Sequence, residues 1–455
     1  MRLTPDTTLR VLADGRTLIG GTPLRVVRLS PGGARLVGRW LAGEPVTAPA
    51  HLALARRLVA AGLAHPRHGA GPYRPEDVTA VVPVRDRPDE LRELRPSLGE
   101  LDHVLIVDDG SAVPVAGAVA RHPSPRGPAA ARNTGVRSVT TQVVAFLDSD
   151  VVPRPGWLRS LLPHFEDPEV AAVAPRVRSR PGPTARERYE AARSPLDLGP
   201  EPAEVRPGGR VGHLPTAALL VRTSVLRSLD GFDESLRYGE DVDLVWRLLE
   251  AGHRVRYEPA AEVFHRPRAD WPALLRQRFD YGGSAAPLSR RHGEAVAPAR
   301  LSSWTAAAWT AALTGHPRTA LAVATTTAAL LPRTLAPAGV PAPEALRLAL
   351  RGQLGAARML GQAALRTWWP IALPALVAAR PGRTALAALL VSRLRGRPRD
   401  IHPLLWCAAG LADDLAYGAG VWHGALRDRT ALPLLPAFTG PARPTGPARR
   451  NRRPP

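Results

Sequence analysis

Two carboxylates one residue apart, Asp148 and Asp150 in Asp148-Ser149-Asp150, follow the apolar run Val143–Leu147. On an extended chain alternate side chains share one side. Such a pair can hold a hard divalent cation, Mg²⁺ or Mn²⁺, which favours oxygen ligands and substrate phosphates. A second acidic pair, Asp108-Asp109, closes the run His103–Val107, and Arg85-Asp86 follows Val78–Val84. Like charges converging in one crevice repel unless a cation joins them. Farther on, Glu240 and Asp241 open the segment Glu240–Ala251, in the first turn, where the helix dipole stabilises anions. Either could serve as a carboxylate base held on a rigid element above the metal site. His265, in Val263-Phe264-His265-Arg266-Pro267, is a candidate third metal ligand.

These residues need elements to position them. The short apolar runs Val78–Val84, His103–Val107 and Val143–Leu147 read as strands buried on both faces. Helical periodicity over Arg87–Leu98 and Ala129–Val139 separates them. Repeated strand–helix–strand units predict an α/β fold with a parallel sheet, whose ligands bind outside the carboxyl ends of the strands. All three polar clusters fall at those ends. The segment Arg237–Gly252 reads as a capped helix that Gly252 ends, and its stripe is expected to be Val242, Val245, Leu248 and Leu249. A strand is expected over Arg254–Tyr257.

Before this unit, residues 1–70 predict a small α+β, winged-helix-like module. It has short strands over 9–12, 17–19 and 24–29, then helices over 31–41 and 50–61. Residues 71–77, rich in Gly and Pro, read as a linker. The α/β domain then spans 78–294, an Ala/Arg-rich helical region 295–440, and a disordered basic tail 441–455.

The chain has 455 residues, 45% hydrophobic and 22% charged, which excludes a disordered or collagen-like chain. One cysteine, Cys407, excludes a disulfide framework and a Cys-based zinc site. The formal charge is +21, and 20 Arg face 5 acids from Ala295 onward. An anionic membrane face would suit such a surplus. Nucleic acid is not the expected partner: no recognition motif is present, and aromatics are 5% of the chain, thin for stacking platforms. The C-terminal third has no uninterrupted apolar span long enough to cross a bilayer. Its helices are expected to be amphipathic, packed on the catalytic domain or lying on a membrane interface. The N-terminal residues have no apolar stretch of signal type. A cytoplasmic protein, peripheral on the inner face of the plasma membrane where it meets one, is the expectation.

The set Pro83-Val84-Arg85-Asp86-Arg87, Val107-Asp108-Asp109-Gly110-Ser111, Ala131-Arg132-Asn133-Thr134-Gly135, Phe146-Leu147-Asp148-Ser149-Asp150, Asp230-Gly231-Phe232-Asp233-Glu234, Gly239-Glu240-Asp241-Val242-Asp243 and His265 resembles the family 2 glycosyltransferases of GT-A fold. The resemblance covers about Val78 to His292. It implies a Rossmann-like mixed sheet and a nucleotide-sugar donor. By the same resemblance Pro83, Val84, Arg85, Asp86, Asp108, Asp109, Gly110, Ser111, Arg132, Asn133, Asp148 and Ser149 hold the donor, and Asp148, Asp150 and His265 the metal. Asp241, beside Glu240, would be the base of an inverting displacement at C1. Asp230 stands where the family has glycine, which questions the turn there.

A wider resemblance, through Arg10–Gly21, Leu24–Pro31, Ser194–Gly199 and Leu214–Arg222, is to the glycosyltransferases of mycofactocin systems. It implies a UDP-glucose donor, a peptide-derived redox cofactor or its precursor as acceptor, and a peptide-recognition-like N-terminal module. Two alternatives stay open: a membrane-associated transferase with a lipid-linked or envelope-polysaccharide acceptor, and a non-catalytic nucleotide-sugar or polyanion binder.

Overall fold

The computed structural model describes residues 1–69, 71–378 and 380–439; the basic tail read at 441–455 lies outside them. The three apolar runs form neighbouring parallel strands, with Val84 opposite Asp108 and Val81 opposite Phe146. Their ends therefore leave the sheet along one edge. The nine-stranded sheet continues through Ala218–Arg222, antiparallel to Val143–Leu147, then Val170–Ser179, Arg254–His265 and Val151–Pro153. This is a mixed sheet of GT-A type. Helices Pro88–Leu94 and Pro128–Arg137 connect the parallel strands.

Apolar side chains fill both faces. One layer gathers Val82, Leu94, Leu147, Trp157 and Val263, and the other Val81, Phe146, Leu219, Leu244 and Tyr257. The strand expected to stop at Tyr257 runs on to His265. Its register against Val170–Ser179 shifts between Pro175, opposite Glu258, and Arg176, opposite Glu262. The apolar pattern breaks at this irregularity, and pairing resumes beyond it.

The N-terminal residues fold around their own core of Leu18, Val37, Trp40, Leu58 and Leu63. Arg2–Pro5 pairs with Ala64–Arg67, and Arg10–Val11, Thr17–Gly20 and Arg25–Arg28 form an antiparallel sheet. The expected helix pair is present at Pro31–Leu41 and Pro49–Ala60, set between these two small sheets. Asp6 joins this unit to the loop before Ala218–Arg222: it accepts from His65 at 2.8 Å and pairs with Arg210 at 3.0 Å. Tyr73, in the stretch read as a linker, packs edge-on against Phe165.

The C-terminal third is helical: Ser303–Leu313, Pro317–Leu335, Ala342–Arg366, Trp369–Ala378, Arg380–Ser392 and Pro403–Arg427. The last packs along Trp271–Gly283, where a buried ion pair joins Arg278 to Asp413 at 2.9 Å. A Cβ at Gly420 would overlap the Phe279 carbonyl, and one at Gly282 the Tyr417 carbonyl. Backbone cannot give way as a side chain can. Gly420→Ala is expected to destabilise the chain by about 3 kcal/mol, the upper end of overpacking costs, as a lowered midpoint in denaturant unfolding. No helix among the described residues is long and apolar enough to cross a membrane.

Candidate active site

Asp148-Ser149-Asp150 leaves the Val143–Leu147 strand at the sheet edge, while Glu240 and Asp241 start the helix Glu240–Glu250. Arg132, on Pro128–Arg137 and only 3% exposed, joins the two: it donates to Asp148 Oδ1 at 2.7 Å and to Glu240 Oε1 at 2.9 Å. The strand-end Asp148 and the acidic helix start are thus joined through one buried guanidinium. Gly239 makes the sharp entry to that helix at φ +83°; a Cβ there would lie 3.0 Å from both Leu288 and Ser284. Only glycine takes that conformation in that space without strain.

Asp150 is nearly covered. Its Oδ2 lies 3.4 Å from His265 Nε2, 4.0 Å from Arg268, and in a short ion pair with Arg87. Burial pushes its pKa up, but the His265 hydrogen bond and the charges of His265, Arg87 and Arg268 outweigh this and hold the carboxyl well below the usual range. Asp148 is a third exposed, and its second oxygen has no protein partner among the described residues.

The helix start differs electrostatically from the sequence expectation. Burial, then the charge of Asp241, raises Glu240 to about 7 against the pull of Arg132. Asp241 is raised too, again chiefly by burial, with Asp148 adding repulsion and the Val242 N–H, at 2.8 Å, opposing it. Desolvation here exceeds the dipole's stabilisation of the anion. The pair shares its protons.

Asp108 and Asp109 come to the sheet edge, but as organisers of loops. Asp108 is fully buried and accepts from the N–H groups of Ser111 at 2.8 Å and Val115 at 3.2 Å. Asp109 accepts from Arg126 and Gly127 N–H, both at 2.8 Å, and from His122 at 2.7 Å. Ser111 Oγ in turn accepts from Asp86 N–H at 3.0 Å, and Asp86 Oδ1 accepts from Ala112 N–H at 2.7 Å. Gly110, at φ +72°, would place a Cβ 2.7 Å from the Ser124–Pro125 backbone. Val84 is buried and Pro83 partly so, while Arg85 stays exposed beside Asp86 at 3.5 Å. Of the donor-binding set named above, Arg85 and Asp86 present the most open side chains.

Asn133 also turns inward. Its amide donates to Phe232 O at 2.8 Å and Glu234 at 3.0 Å and accepts from Phe232 N–H at 2.9 Å, bracing the turn 230–234. Asp230 takes φ +58° there, the left-handed conformation that glycine prefers, so the departure from glycine preserves the turn. Ser149 is buried.

Sequence reasoning did not assign roles to Arg87, Arg268 or Tyr281. Arg87 and Arg268 surround Asp150; in so arginine-rich a chain, proximity to the acidic clusters was the only available signal. Tyr281, on Trp271–Gly283, accepts from Gln277 at 2.9 Å; burial raises its hydroxyl to about 12, and the charges of Asp241 and Asp148 also act on it. It therefore stands neutral near the helix start. The stripe of the acidic helix is also shifted: Leu244, Val245, Trp246 and Leu248 are buried, with Val242 and Leu249 at its margin. Asp243 is buried, bonded to Arg247 at 2.7 Å and His292 at 3.0 Å.

A mixed sheet with carboxylates gathered at its strand ends, facing an acidic helix start, defines a class of sugar-transferring enzymes. The model of the family described as Glycosyl transferase family 2 matches residues 79–227. The chain belongs to that family and is a glycosyltransferase. It is similar to the pre-mycofactocin glycosyltransferase of Mycobacterium tuberculosis (strain ATCC 25618 / H37Rv), with 44% identity over 458 residues, 95% of this chain and 96% of that protein. The succinoglycan biosynthesis protein ExoO of Rhizobium meliloti (strain 1021) is 30% identical over 214 residues, 42% of this chain and 61% of its own. Among solved structures, the mannosyltransferase PcManGT from Pyrobaculum calidifontis, in complex with GDP-Man and Mn²⁺, aligns with a TM-score of 0.44. Its identity is 17%, covering 82% of this chain and 94% of that one.

Proposed function

We propose that this glycosyltransferase moves glucose from UDP-glucose onto a pre-mycofactocin acceptor, a redox cofactor precursor made from a peptide, with inversion at C1. The observation that supports the chemistry is the Arg132 bridge from Asp148 to Glu240, which ties the strand-end Asp148 to the helix start that carries Asp241. Similarity to the pre-mycofactocin glycosyltransferase over nearly the full length of both chains supports the acceptor, and UDP-glucose is the donor that the sequence resemblance implies.

In this reading Asp241 takes the proton of an acceptor hydroxyl as its oxygen bonds to C1. The bond between C1 and the diphosphate oxygen breaks, and UDP leaves. Arg132 fixes the distance between the base and the strand-end carboxylates. Arg85 and Asp86 lie where the nucleoside enters, over a loop that Asp108, Asp109 and Ser111 make rigid.

A divalent cation, Mg²⁺ or Mn²⁺, belongs to this reading. Among the described residues no three His, Cys, Asp or Glu side chains form a ready cage. Mg²⁺ and Mn²⁺, however, are commonly held by one or two protein groups together with substrate phosphates and water. Asp150 with His265, and the second oxygen of Asp148, are the residues that would hold it. When bound, the cation would supply Lewis-acid neutralisation of the departing diphosphate.

The test is transfer by the full chain from a panel of nucleotide sugars to the pre-mycofactocin peptide product, read as hexose mass increments, with and without a chelator. UDP-glucose is expected to be preferred, and chelation to abolish transfer until Mg²⁺ or Mn²⁺ is restored. Preference for another nucleotide sugar overturns the donor, and full activity in chelator overturns the cation. Transfer to a lipid-linked saccharide but not to the peptide product overturns the acceptor.

A further inference from the structure

Among the described residues, all but four of the exposed large hydrophobic side chains lie beyond Ser303. The sharpest concentration is the hairpin of Trp369–Ala378 and Arg380–Ser392. The first helix carries no charged residue, and the second none from Thr384 to Ser392. Ile371, Pro374, Ala375, Val377 and Ala378 point outward from one helix, and Ala385, Ala387, Ala388 and Val391 from the other. A solvent-facing helix surface ordinarily carries charge, and this one has none.

The hairpin's inner side is fixed. A Cβ at Gly382 would overlap the Leu376 carbonyl, so the helices close tightly on each other, and Leu389 occupies the space beside Gly361 of Ala342–Arg366. The apolar outer face is therefore what remains after packing is complete.

Arginine borders this face. Arg380 and Arg383 lie in the first turn of the second helix and Arg395 and Arg399 beyond its end, all exposed and without a carboxylate partner among the described residues. Arg393, by contrast, is drawn inward to Asp414. From Ser303 to Arg399 the chain has 12 Arg and a single acid, Glu344, which is buried against Arg10. An apolar strip edged by unpaired cations complements a surface that is apolar below and anionic above. At 1.5 Å rise per residue the two helices reach roughly 15 and 20 Å, short of the ~30 Å hydrocarbon core, so the hairpin can lie in the interface and cannot span it.

We propose that the outer face of this hairpin docks the enzyme on the surface of an anionic lipid bilayer, with Ile371, Val377 and Val391 in the acyl boundary and Arg380, Arg383, Arg395 and Arg399 among the headgroups. Apolar burial and attraction to anionic lipid act together in such helices. The docking stands apart from the donor and acceptor assigned above.

Co-sedimentation of the full chain with phosphatidylcholine vesicles, with or without phosphatidylglycerol, tests it. Binding is expected to vesicles containing phosphatidylglycerol, weakened by salt. Arg380→Gln with Arg383→Gln should weaken it by roughly tenfold or more, since each arginine near the surface contributes on the order of 1 kcal/mol. Ile371→Asp should abolish it while leaving the unfolding midpoint and turnover of soluble substrate unchanged, because Ile371 is 65% exposed. Failure of the parent chain to bind anionic vesicles overturns the proposal, as does equal binding to neutral ones. So does concentration-dependent self-association that Ile371→Asp removes, which would make a second copy the occupant.

Discussion

Asp241→Asn is expected to lower kcat by about 10²- to 10⁴-fold, the range a positioned general base supplies, with little change in the KM for the nucleotide sugar. Asparagine keeps the size and the hydrogen bond from Val242 N–H, which the carboxylate accepts at 2.8 Å, so the helix start should survive. The loss then falls on proton removal, and kcat and kcat/KM should drop together. The pH profile supplies a second check. Burial raises Asp241 above the ordinary aspartate range, and the charge of Asp148 adds to the rise. A base must be ionised, so activity of the parent enzyme should rise with pH on the acid side, and that limb should sit above the pKa of a solvated aspartate. Asp241→Asn should lose the limb along with the rate. Turnover unchanged in this variant would remove Asp241 from the chemistry, whatever the donor proves to be.

Much of this site was legible in the sequence, and for a definite reason. A parallel strand buried on both faces must be apolar, so the abrupt change to Asp108-Asp109 after Val107, or to Asp148-Ser149-Asp150 after Leu147, marks where the chain leaves the sheet. Gly252 marked the end of the acidic helix in the same way, whereas its start at Glu240 lies inside the segment read from Arg237. What the pattern did not disclose is how each carboxylate's oxygens are spent. Asp108 and Asp109 looked like free ligands, yet backbone N–H groups of the following loop occupy them. Such bonds depend on loop conformation, which residue types do not encode. Asp243 was passed over because its partner His292 lies 49 residues away. The continuation of Arg254–Tyr257 to His265 was hidden by Glu258-Pro259, where the register shifts and alternation fails. The three-residue pairing of Arg300–Ser302 with Ala437–Thr439 is too short to leave any period at all.

The second large effect is expected at Arg132. Its guanidinium is buried between buried Glu240 and partly exposed Asp148, and burying such charges is tolerable only while they satisfy one another. Arg132→Met removes the cation, leaves Asp148 and Glu240 facing each other without it, and should destabilise the chain by about 3–5 kcal/mol at pH 8, the usual cost of breaking a buried pair. The sign of the pH dependence follows from Glu240. Its folded pKa, about 7, lies above the ordinary 4.5, so the folded state holds a proton that the unfolded chain has already released in that window. Stability contributed by this group is full below about 4.5 and is lost as pH rises through about 7. Without Arg132, which pulls the value down, Glu240 titrates still higher and the loss extends further toward alkaline pH. Urea midpoints of the variant should therefore fall far below those of the parent at pH 8 and approach them at pH 5, where Glu240 takes up a proton and needs no cation. Arg132→Lys should recover only part of the difference, because one ammonium cannot reach both carboxylates in the geometry of the planar fork. An equal loss at both pH values would mean that Arg132 acts through packing alone. The bridge between the strand-end carboxylates and the helix of Asp241 would then have to be held by something other than charge.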